Sequence, residues 1–413
     1  MVIGVASESK LLRRHFVFLQ GMPSPFFRRI GEALEKCGCR VTRINFCVGD
    51  WFFWHGRNTL GYRGRAADWG RFVADFFERN DVTDLVLLGE QRRYHKEAVE
   101  LAQARGIRVS VTDFGYLRPD WITLERDGMG GNSRFPRDAQ EIRRRAADVG
   151  RADLARRYAD SAFNMVVGDL LYNFANFFLG ICYPHYRRTD CRPHTLIYTT
   201  ASALHLLRCR LRRRKNQARV AEIAASNTRY FVLPLQLDHD FQIVVYSPFA
   251  GMAEVIRQVV ESFARCASAE THLIIKVHPW DAGLINWRRQ VGLAAEEFRV
   301  ADRVEYLDGG SLDKLVQSAA GMVTVNSTAG LYALQQGCPV KILGQAVYDV
   351  PELTFQGGLD EFWTDPTPPV RDLLDAFVDL MAATIQIRGV FFSEPGSTAA
   401  VESAVQWLIA GEH

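Results

Sequence analysis

The sequence predicts an α/β protein in which two halves of alternating strands and helices are joined by a helical, basic middle region. Three observations support this prediction. Short apolar runs alternate with segments of helical period in the first third of the chain, the same alternation returns in the last third, and the residues between them contain no convincing strand. Such alternation is typical of parallel sheets that are covered by helices on both faces.

In the first third, four short apolar runs predict strands, and each run ends near a glycine or an acid. These runs are HFVFLQG (15–21), CRVTRINF (39–46), TDLVLLGE (83–90) and IRVSVTD (107–113). Segments of helical period between them predict helices at Phe26 to Lys36, Trp69 to Glu78 and His95 to Ala104. We therefore expect an N-terminal Rossmann-like domain over residues 1–135.

The last third repeats this pattern and predicts a second Rossmann-like domain over residues 227–390, followed by a C-terminal helix at 391–413. Its predicted strands are RYFVLPLQLD (229–238), THLIIKVHP (271–279), RVEYLD (303–308), GMVTVNS (321–327) and PVKILG (339–344). Ligands of such sheets gather at the carboxyl ends of the strands. Two halves of this kind predict an enzyme with its site in the cleft between two facing domains.

The middle region, residues 136–226, is rich in arginine and predicts helices. It also contains the aromatic stretch FNMVVGDLLYNFANFFLGICYPHYRR, which has few charges. One interpretation is a solvated helical face beside ordinary core. The other is a membrane-surface patch, in which six cations face anionic head groups. These are Arg208, Arg210, Arg212, Arg213, Arg214 and Lys215.

The composition of the 413-residue chain is that of an ordinary soluble protein, with 48% hydrophobic and 23% charged residues. A net charge of +3 gives no overall field that would indicate a nucleic-acid partner. The eight cysteines show no paired metal-type spacing, so we expect reduced thiols. We see no signal-peptide stretch and no run of about 18 apolar residues, so we expect a cytoplasmic protein without a spanning helix.

Polar residues follow three predicted strands of the second domain. Lys276 and His278 lie at the end of one strand, and Gln236 follows another. Asn326, Ser327 and Thr328 end a third strand and open a helix. A lone histidine is more often structural, and Ser and Thr at a helix start are first of all N-caps. Taken together, however, these groups and the helix N-terminus predict a phosphate site.

Other nucleotide and catalytic motifs are missing from the sequence. There is no Walker loop, no G-x-G-x-x-G at a strand end, no G-x-S-x-G elbow and no H-E-x-x-H helix. Asp238-His239-Asp240 has the acid-x-acid form that holds a divalent metal in many sugar-nucleotide enzymes. A turn that contains two solvated acids is an equally good interpretation.

Several long blocks resemble the bacterial capsule polysaccharide biosynthesis and export family of the KpsS/LipB type, and the resemblance covers nearly the whole chain. The blocks are HFVFLQGMPSPFFRRIGEAL, VGDWFFW, LGYRGRAADW, GYLRPDWITLERDG, VLPLQLDHDFQI, KVHPWD and VNSTAGLYALQQGCPVKILGQAVYDVPELTFQGGLDEFW. The resemblance implies a β-Kdo glycosyltransferase of the GT-B kind. It would transfer Kdo from CMP-β-Kdo to a phosphatidylglycerol-type lipid at the inner face of the inner membrane, beside other capsule synthesis and export proteins.

The resemblance also implies roles for particular residues. His278, Ser327 and Thr328 are expected near the CMP phosphate, with Lys276, Asn326 and Gln236 in the same nucleotide site. Asp113 is expected to be the nucleophile of a retaining transfer. Arg118 would bind the carboxylate of the sugar acid, with Tyr116 beside it. We expect no metal and no cofactor, so Asp238 and Asp240 would be polar scaffold.

The chain departs from the family pattern at one position of the implied catalytic block. Related Kdo transferases carry two adjacent acids before the glycine, whereas Phe114 follows Asp113 here. Glu90, at the end of LVLLGE, is a second candidate acid.

The alternative function is a non-catalytic export or assembly component that binds the lipid-linked glycan.

Overall fold

A computed structural model describes residues 13–188 and 194–410. The described residues form twelve strands: β1 His15–Phe18, β2 Arg40–Asn45, β3 Thr59–Gly61, β4 Asp84–Leu88, β5 Arg108–Phe114, β6 Trp121–Arg126, β7 Tyr230–Pro234, β8 His272–Lys276, β9 Val304–Leu307, β10 Gly321–Thr324, β11 Val340–Ile342 and β12 Gln386–Arg388. All nine runs that the sequence analysis named as strands are strands.

The same residues form fifteen α-helices: α1 Phe26–Lys36, α2 Val48–Phe53, α3 Trp69–Arg79, α4 Arg93–Gln103, α5 Ala139–Ala146, α6 Ala162–Leu179, α7 Thr195–Ala225, α8 Phe241–Val244, α9 Met252–Cys266, α10 Trp287–Glu297, α11 Leu312–Ser318, α12 Thr328–Gln335, α13 Leu359–Phe362, α14 Arg371–Thr384 and α15 Gly396–Ala410. The three helices predicted in the first third are α1, α3 and α4, and the bounds of α1 agree with the prediction.

The chain divides into two compact units. Of the described residues, 13–135, 151–188 and 381–410 form the first unit, and 136–150 and 194–380 form the second. The predicted segments divide the chain differently, because the middle region contributes to both units. The end of the chain returns to the first unit, where β12 pairs antiparallel with β6.

The first unit contains a seven-stranded sheet in the order β12-β6-β5-β4-β1-β2-β3. The strands from β5 to β3 in this order are parallel to their neighbours. Successive strands are added on one side of β1 up to β3 and then on its other side from β4, so the switch point of this Rossmann-like sheet lies between β1 and β4. The apolar side chains of β1 and β4 alternate between two cores, one under α1 and α15 and the other under α3 and α4.

The strand that contains Asp113 does not end there. β5 continues to Phe114, and the chain turns back as β6, with Asp113 opposite Thr123 in the antiparallel register. A Cβ atom on Gly115 would lie 2.3 Å from the carbonyl oxygen of Trp121. Gly115 therefore makes room for the returning backbone of β6.

The second unit contains a five-stranded parallel sheet in the order β11-β10-β7-β8-β9. This is the Rossmann order, with its switch point between β7 and β10. The largest core of the unit joins the sheet to α9 and α10 and includes the buried Trp287 and Trp363. The prediction of two Rossmann-like α/β halves is confirmed.

Candidate functional site

Gln236 and Asn326 meet at the switch point of the second sheet. Gln236 follows β7 and Asn326 follows β10, and both are 6% exposed. The Gln236 Nε2 donates to the Asn326 Oδ1 at 2.9 Å, and the Asn326 backbone N–H donates to the Gln236 Oε1 at 3.2 Å. The Asn326 Nδ2 also donates to the carbonyl oxygens of Gln242 and Tyr246. These two amides therefore hold the ends of two neighbouring strands in register.

Ser327 is the N-cap of α12. Its Oγ accepts from the backbone N–H of Ala329 at 3.2 Å, and Thr328 is the first helical residue. A Cβ atom on Gly330 would lie 2.3 Å from the hydroxyl of Tyr348, which donates to the Ser327 carbonyl. The first turn of α12 is thus held by a cap and a buried tyrosine, and Ser327 and Thr328 remain half-buried at its N-terminus.

His278 lies beyond the end of β8 and is half-buried. Its Nδ1 accepts from the backbone N–H of Trp280 at 3.1 Å. In the neutral ring the proton must then be on Nε2, which makes this nitrogen a donor. Lys276 is 4% exposed, and its Nζ donates to the carbonyl of Val277 at 3.3 Å. Burial lowers the pKa of Lys276, while Cys209 and Asp313 oppose the shift.

The strand order decides which predicted residues come together. Gln236 and Asn326 are in direct contact, and Ser327 and Thr328 follow Asn326 in the chain. Lys276 and His278 lie one strand further from Asn326 than Gln236 does, because β8 is the neighbour of β7 on the side opposite β10. All of these strands are parallel, so their carboxyl ends lie along one edge of the sheet.

Asp238 and Asp240 both bond to helix N-termini. The Asp238 Oδ1 accepts from the backbone N–H of Met252 at 2.7 Å, at the start of α9. The Asp240 Oδ1 accepts from the backbone N–H of Gln242 at 3.0 Å and caps α8. Within residues 13–188 and 194–410 no group of three or more acidic, histidine or cysteine side chains has the geometry of a metal site. Both carboxylates therefore stabilise helix N-termini, and the expectation that they bind no metal stays a prediction.

In the first unit, Asp113 and Phe114 lie on opposite faces of β5, since side chains alternate along a strand. The ring of Phe114 packs edge-on against Phe391 at 5.3 Å, in the core under α15. The half-buried Asp113 lies on the other face, and its Oδ1 accepts from the backbone N–H of Phe114 at 2.7 Å. An acid at position 114 would point into a different part of the unit from Asp113.

Tyr116 and Arg118, the predicted substrate-binding residues, lie in the turn between β5 and β6. The Tyr116 hydroxyl accepts from the backbone N–H of Gly130 at 2.8 Å, and burial raises the pKa of Tyr116. The Arg118 side chain is exposed, with its guanidinium carbon 5.3 Å from the centre of the Phe114 ring. Arg118 therefore lies at the surface, whereas the hydroxyl of Tyr116 bonds inside the unit.

A pair of buried glutamates, Glu90 and Glu125, lies beside Tyr116, and Glu125 is not among the residues predicted from the sequence. Glu125 is 1% exposed, its Oε2 accepts from the Ser133 hydroxyl, and its Oε1 has no hydrogen-bond partner among the described residues. Burial raises the pKa of Glu125 to about 7; hydrogen bonds from Ser133 and Tyr116 oppose the shift, and the charge of Glu90 adds to it. The sequence carries no signal of this burial, because Glu125 alternates with the apolar Ile122 and Leu124, a pattern that predicts an acid on a solvated face.

A second group that sequence reasoning missed lies at the switch point of the first sheet. Gln20 follows β1 and is 2% exposed. Its Nε2 donates to the Asp50 Oδ1 at 3.3 Å, and its Oε1 accepts from Arg92 at 3.2 Å. The guanidinium of the buried Arg43 lies 3.3 Å from the same Asp50 oxygen. Gln20 thus corresponds in position to Gln236 of the second unit.

Two Rossmann-like units with polar side chains at both switch points define an α/β protein built to bind ligands at the carboxyl ends of its strands. The family model described as "Capsule polysaccharide biosynthesis protein" matches residues 83–392. The chain therefore belongs to the capsule polysaccharide biosynthesis protein family.

Curated relatives of the family match over most of their length. The "Capsule polysaccharide export protein KpsS" of Escherichia coli is 29% identical over 94% of this chain and 100% of its own length. The "Capsule polysaccharide modification protein LipB" of Neisseria meningitidis serogroup A is 30% identical over 92% of each chain.

Among solved structures, "Thermosulfurimonas dismutans KpsC, beta Kdo 2,7 transferase" is 14% identical, with a TM-score of 0.45 over 96% of this chain and 99% of that chain. A glycosyltransferase from Rickettsia africae is 9% identical, with a TM-score of 0.35 over 97% and 99%. At such low similarity neither structure bears on the function of this chain.

Proposed function

We propose that this chain is a glycosyltransferase of capsule biosynthesis that transfers Kdo from CMP-β-Kdo to a phosphatidylglycerol-type lipid and so starts the capsule linker. The observation that carries the proposal is the polar edge of the second sheet. There, a Rossmann switch point, a histidine with a donor nitrogen and a helix N-terminus lie at the ends of three adjacent parallel strands. Membership of the capsule polysaccharide biosynthesis protein family supports the capsule context of this proposal.

The second unit would bind the nucleotide. CMP departs as a monophosphate whose negative charge grows as the bond to the sugar breaks. The Nε2–H of His278, the ammonium of Lys276 and the N-terminus of α12 can stabilise that charge without a metal. Gln236 and Asn326 would position these groups, because their side chains bond mainly to each other and to nearby backbone.

The first unit would supply the nucleophile. In a retaining transfer, a carboxylate attacks the anomeric carbon as the bond to CMP breaks, and the acceptor oxygen then displaces the carboxylate. Asp113 is half-buried near the end of β5, which makes it the better candidate of the first unit. Glu90 is 4% exposed, and its Oε1 accepts from the backbone of Met129 and the side chain of Asn132.

The proposed location is the inner face of the inner membrane, where other capsule synthesis and export proteins would be partners. Six cations lie between Arg208 and Lys215 on α7, and all but Arg212, which pairs with Asp308, are exposed without an ion pair among the described residues. Near an anionic surface each cation contributes about 1 kcal/mol. We expect R213A/R214A to bind phosphatidylglycerol vesicles roughly thirtyfold more weakly at low salt.

The matched control for this variant is R257A/R265A, which removes two exposed cations of the same unit that already have acidic partners. Salt should weaken the binding of the wild type, because the Debye length is only about 8 Å at physiological ionic strength. Equal binding to neutral vesicles would contradict the electrostatic part of the proposal.

The experiment that tests the transferase is CMP release from CMP-Kdo with vesicles that contain the lipid acceptor. We expect CMP and a Kdo-modified lipid in equal amounts. Binding of a lipid-linked glycan without release of CMP would instead support the export or assembly component. The observation that favours this second function is Phe114, which replaces one of the two adjacent acids.

A further inference from the structure

Helix α6 has one face fixed to the first unit by polar contacts. The Tyr172 hydroxyl bonds to Gln20 and lies 3.0 Å from the Cys47 sulfur. The Asn176 Oδ1 accepts from the backbone N–H of Gly49 at 2.8 Å, and a Cβ atom on Gly49 would lie 2.6 Å from the Tyr172 ring. This close approach places α6 against α2 and beside Gln20, at the switch point of the first sheet.

The other face of α6 is apolar and exposed. Phe163 is 75% exposed, Phe178 is 69% exposed, and Ile181 in the following turn is 87% exposed. Leu171, Phe177 and Leu179 are also exposed, and Asp169 is the only charged residue between Ala162 and Cys182. Soluble proteins rarely leave such a continuous apolar surface in water, so this face requires a partner.

This helix corrects the expectation that no segment could cross a membrane. Within the described residues, Ala162–Cys182 is long and apolar enough to do so by length and composition. Its polar residues interrupt the apolar run, which is why a search for consecutive apolar residues missed it. Because Tyr172 and Asn176 fix one face to the first unit, the contacts favour a helix that lies along a membrane surface.

The charges around α6 favour a lipid surface over a protein partner. Exposed arginines flank the helix at both ends, Arg156 before it and Arg187 after it, and the apolar face between them contains no cation. Helices that lie in the interface of anionic membranes combine such an apolar face with nearby basic residues. Trp51 and Phe52 of the neighbouring α2 are 49% and 45% exposed, and tryptophan is enriched at membrane interfaces.

We infer that the outer face of α6, with Trp51 and Phe52, lies in the interfacial layer of an anionic lipid bilayer. From there the lipid acceptor would reach the carboxyl edge of the first sheet beside Gln20. The second part of this inference rests on the proposed function. This surface would bind the membrane through apolar contacts, whose strength salt does not screen. The basic segment of α7 would bind through charges, whose attraction salt weakens.

The test compares F163S/I181S with the control L293S/V370S, which replaces two exposed apolar residues of the second unit. Both pairs are exposed, so the fold should be retained, and circular dichroism checks this. Cosedimentation with phosphatidylglycerol–phosphatidylcholine vesicles is measured at 1 M salt, where the Debye length is about 3 Å. We expect F163S/I181S to bind at least about tenfold more weakly than the wild type, and the control to bind as the wild type does.

A second measurement addresses the acceptor. With acceptor embedded in vesicles, F163S/I181S should turn over about tenfold more slowly at limiting lipid, whereas a short-chain, water-soluble acceptor should be used at the wild-type rate. An equal loss with both acceptors would overturn the role in presenting the acceptor.

Other occupants of this face would give different results. Vesicle binding at 1 M salt that is equal in the wild type and F163S/I181S would overturn the inference. Dimerisation of the wild type that F163S/I181S abolishes, without binding to vesicles, would assign the face to a second copy of this chain. Loss of vesicle binding in F163S/I181S, with no CMP release by the wild type on any acceptor, would support the membrane surface and reject the transferase.

Discussion

The carboxyl edges of the two sheets differ in how their polar groups are arranged. In the second unit, Gln236 and Asn326 belong to adjacent parallel strands and bond to each other directly. In the first unit, Asp113 lies inside a strand that continues into an antiparallel partner, and its neighbour Phe114 belongs to the core. Gln236 and Asn326 of the second unit therefore lie beyond the ends of their strands, whereas Asp113 lies within its strand.

The replacement of Asp113 is expected to have the largest effect on transfer. We expect D113N to bind CMP-Kdo as the wild type does and to lose transfer by about a thousandfold or more, since an amide cannot form the glycosyl ester. Donor binding is measured by calorimetry and transfer by CMP release. E90Q is the matched control in the same unit. Near-normal transfer by D113N, with transfer lost in E90Q, would move the nucleophile to Glu90.

The second prediction concerns the buried glutamates of the first unit. The pKa of Glu125 is raised by burial from 4.5 in an unfolded chain to about 7 in the folded protein. The folded state then binds more protons than the unfolded state between these values, so the stability that this group contributes is present at low pH and is lost as the pH rises towards 7. The loss is on the order of 3 kcal/mol.

E125Q removes this titration and should flatten the pH dependence of the free energy of unfolding between about 4.5 and 7. Urea unfolding at several pH values measures it. E141Q is the control, because Glu141 lies on α5 of the other unit and the hydrogen bond from Arg144 lowers its pKa, opposite to the shift of Glu125. An unchanged slope in E125Q would show that Glu125 is ionised at neutral pH in the folded state.

Of the twelve strands in the described residues, the sequence predicted nine and missed β3, β6 and β12, which lie at the two ends of the first sheet. Parallel strands are buried on both faces and appear as apolar runs. Strand β12 has only three residues, Gln386 to Arg388, and is held by pairing with β6 from a distant part of the chain. Such pairing depends on the tertiary fold, and a local pattern cannot reveal it.

For the candidate site, residue types at strand ends were predicted better than their contacts. Gln236, His278 and Asn326 all lie at the edge where they were expected. The Glu90–Glu125 pair and the Gln20–Asp50 contact were missed, because each joins residues more than twenty positions apart in sequence. The roles of the predicted residues in catalysis and binding remain predictions.

The third prediction tests the second unit through His278. H278A should lower turnover about a hundredfold or more, because it removes a donor to the departing phosphate. The half-buried ring belongs to no core cluster, so thermal unfolding should be nearly unchanged. Calorimetry with CMP is the decisive measurement, and S327A is the companion variant at the N-terminus of α12, which is expected at the same phosphate. Unchanged CMP affinity in H278A would remove His278 from the nucleotide site.

The smallest effect is expected for the acids of the second unit. The Asp238 carboxylate stabilises the N-terminus of α9, so D238A should destabilise the protein by about 1 kcal/mol, as the loss of a helix cap does. D238N retains an oxygen that can accept the same hydrogen bond and should recover most of this stability.

A chelator should leave turnover unchanged, because His278, Lys276 and the N-terminus of α12 can stabilise the monophosphate by themselves. Activity that a chelator removes and magnesium or manganese restores would contradict this. It would also make Asp238 and Asp240 metal ligands, and D238N would then lose turnover while keeping its stability.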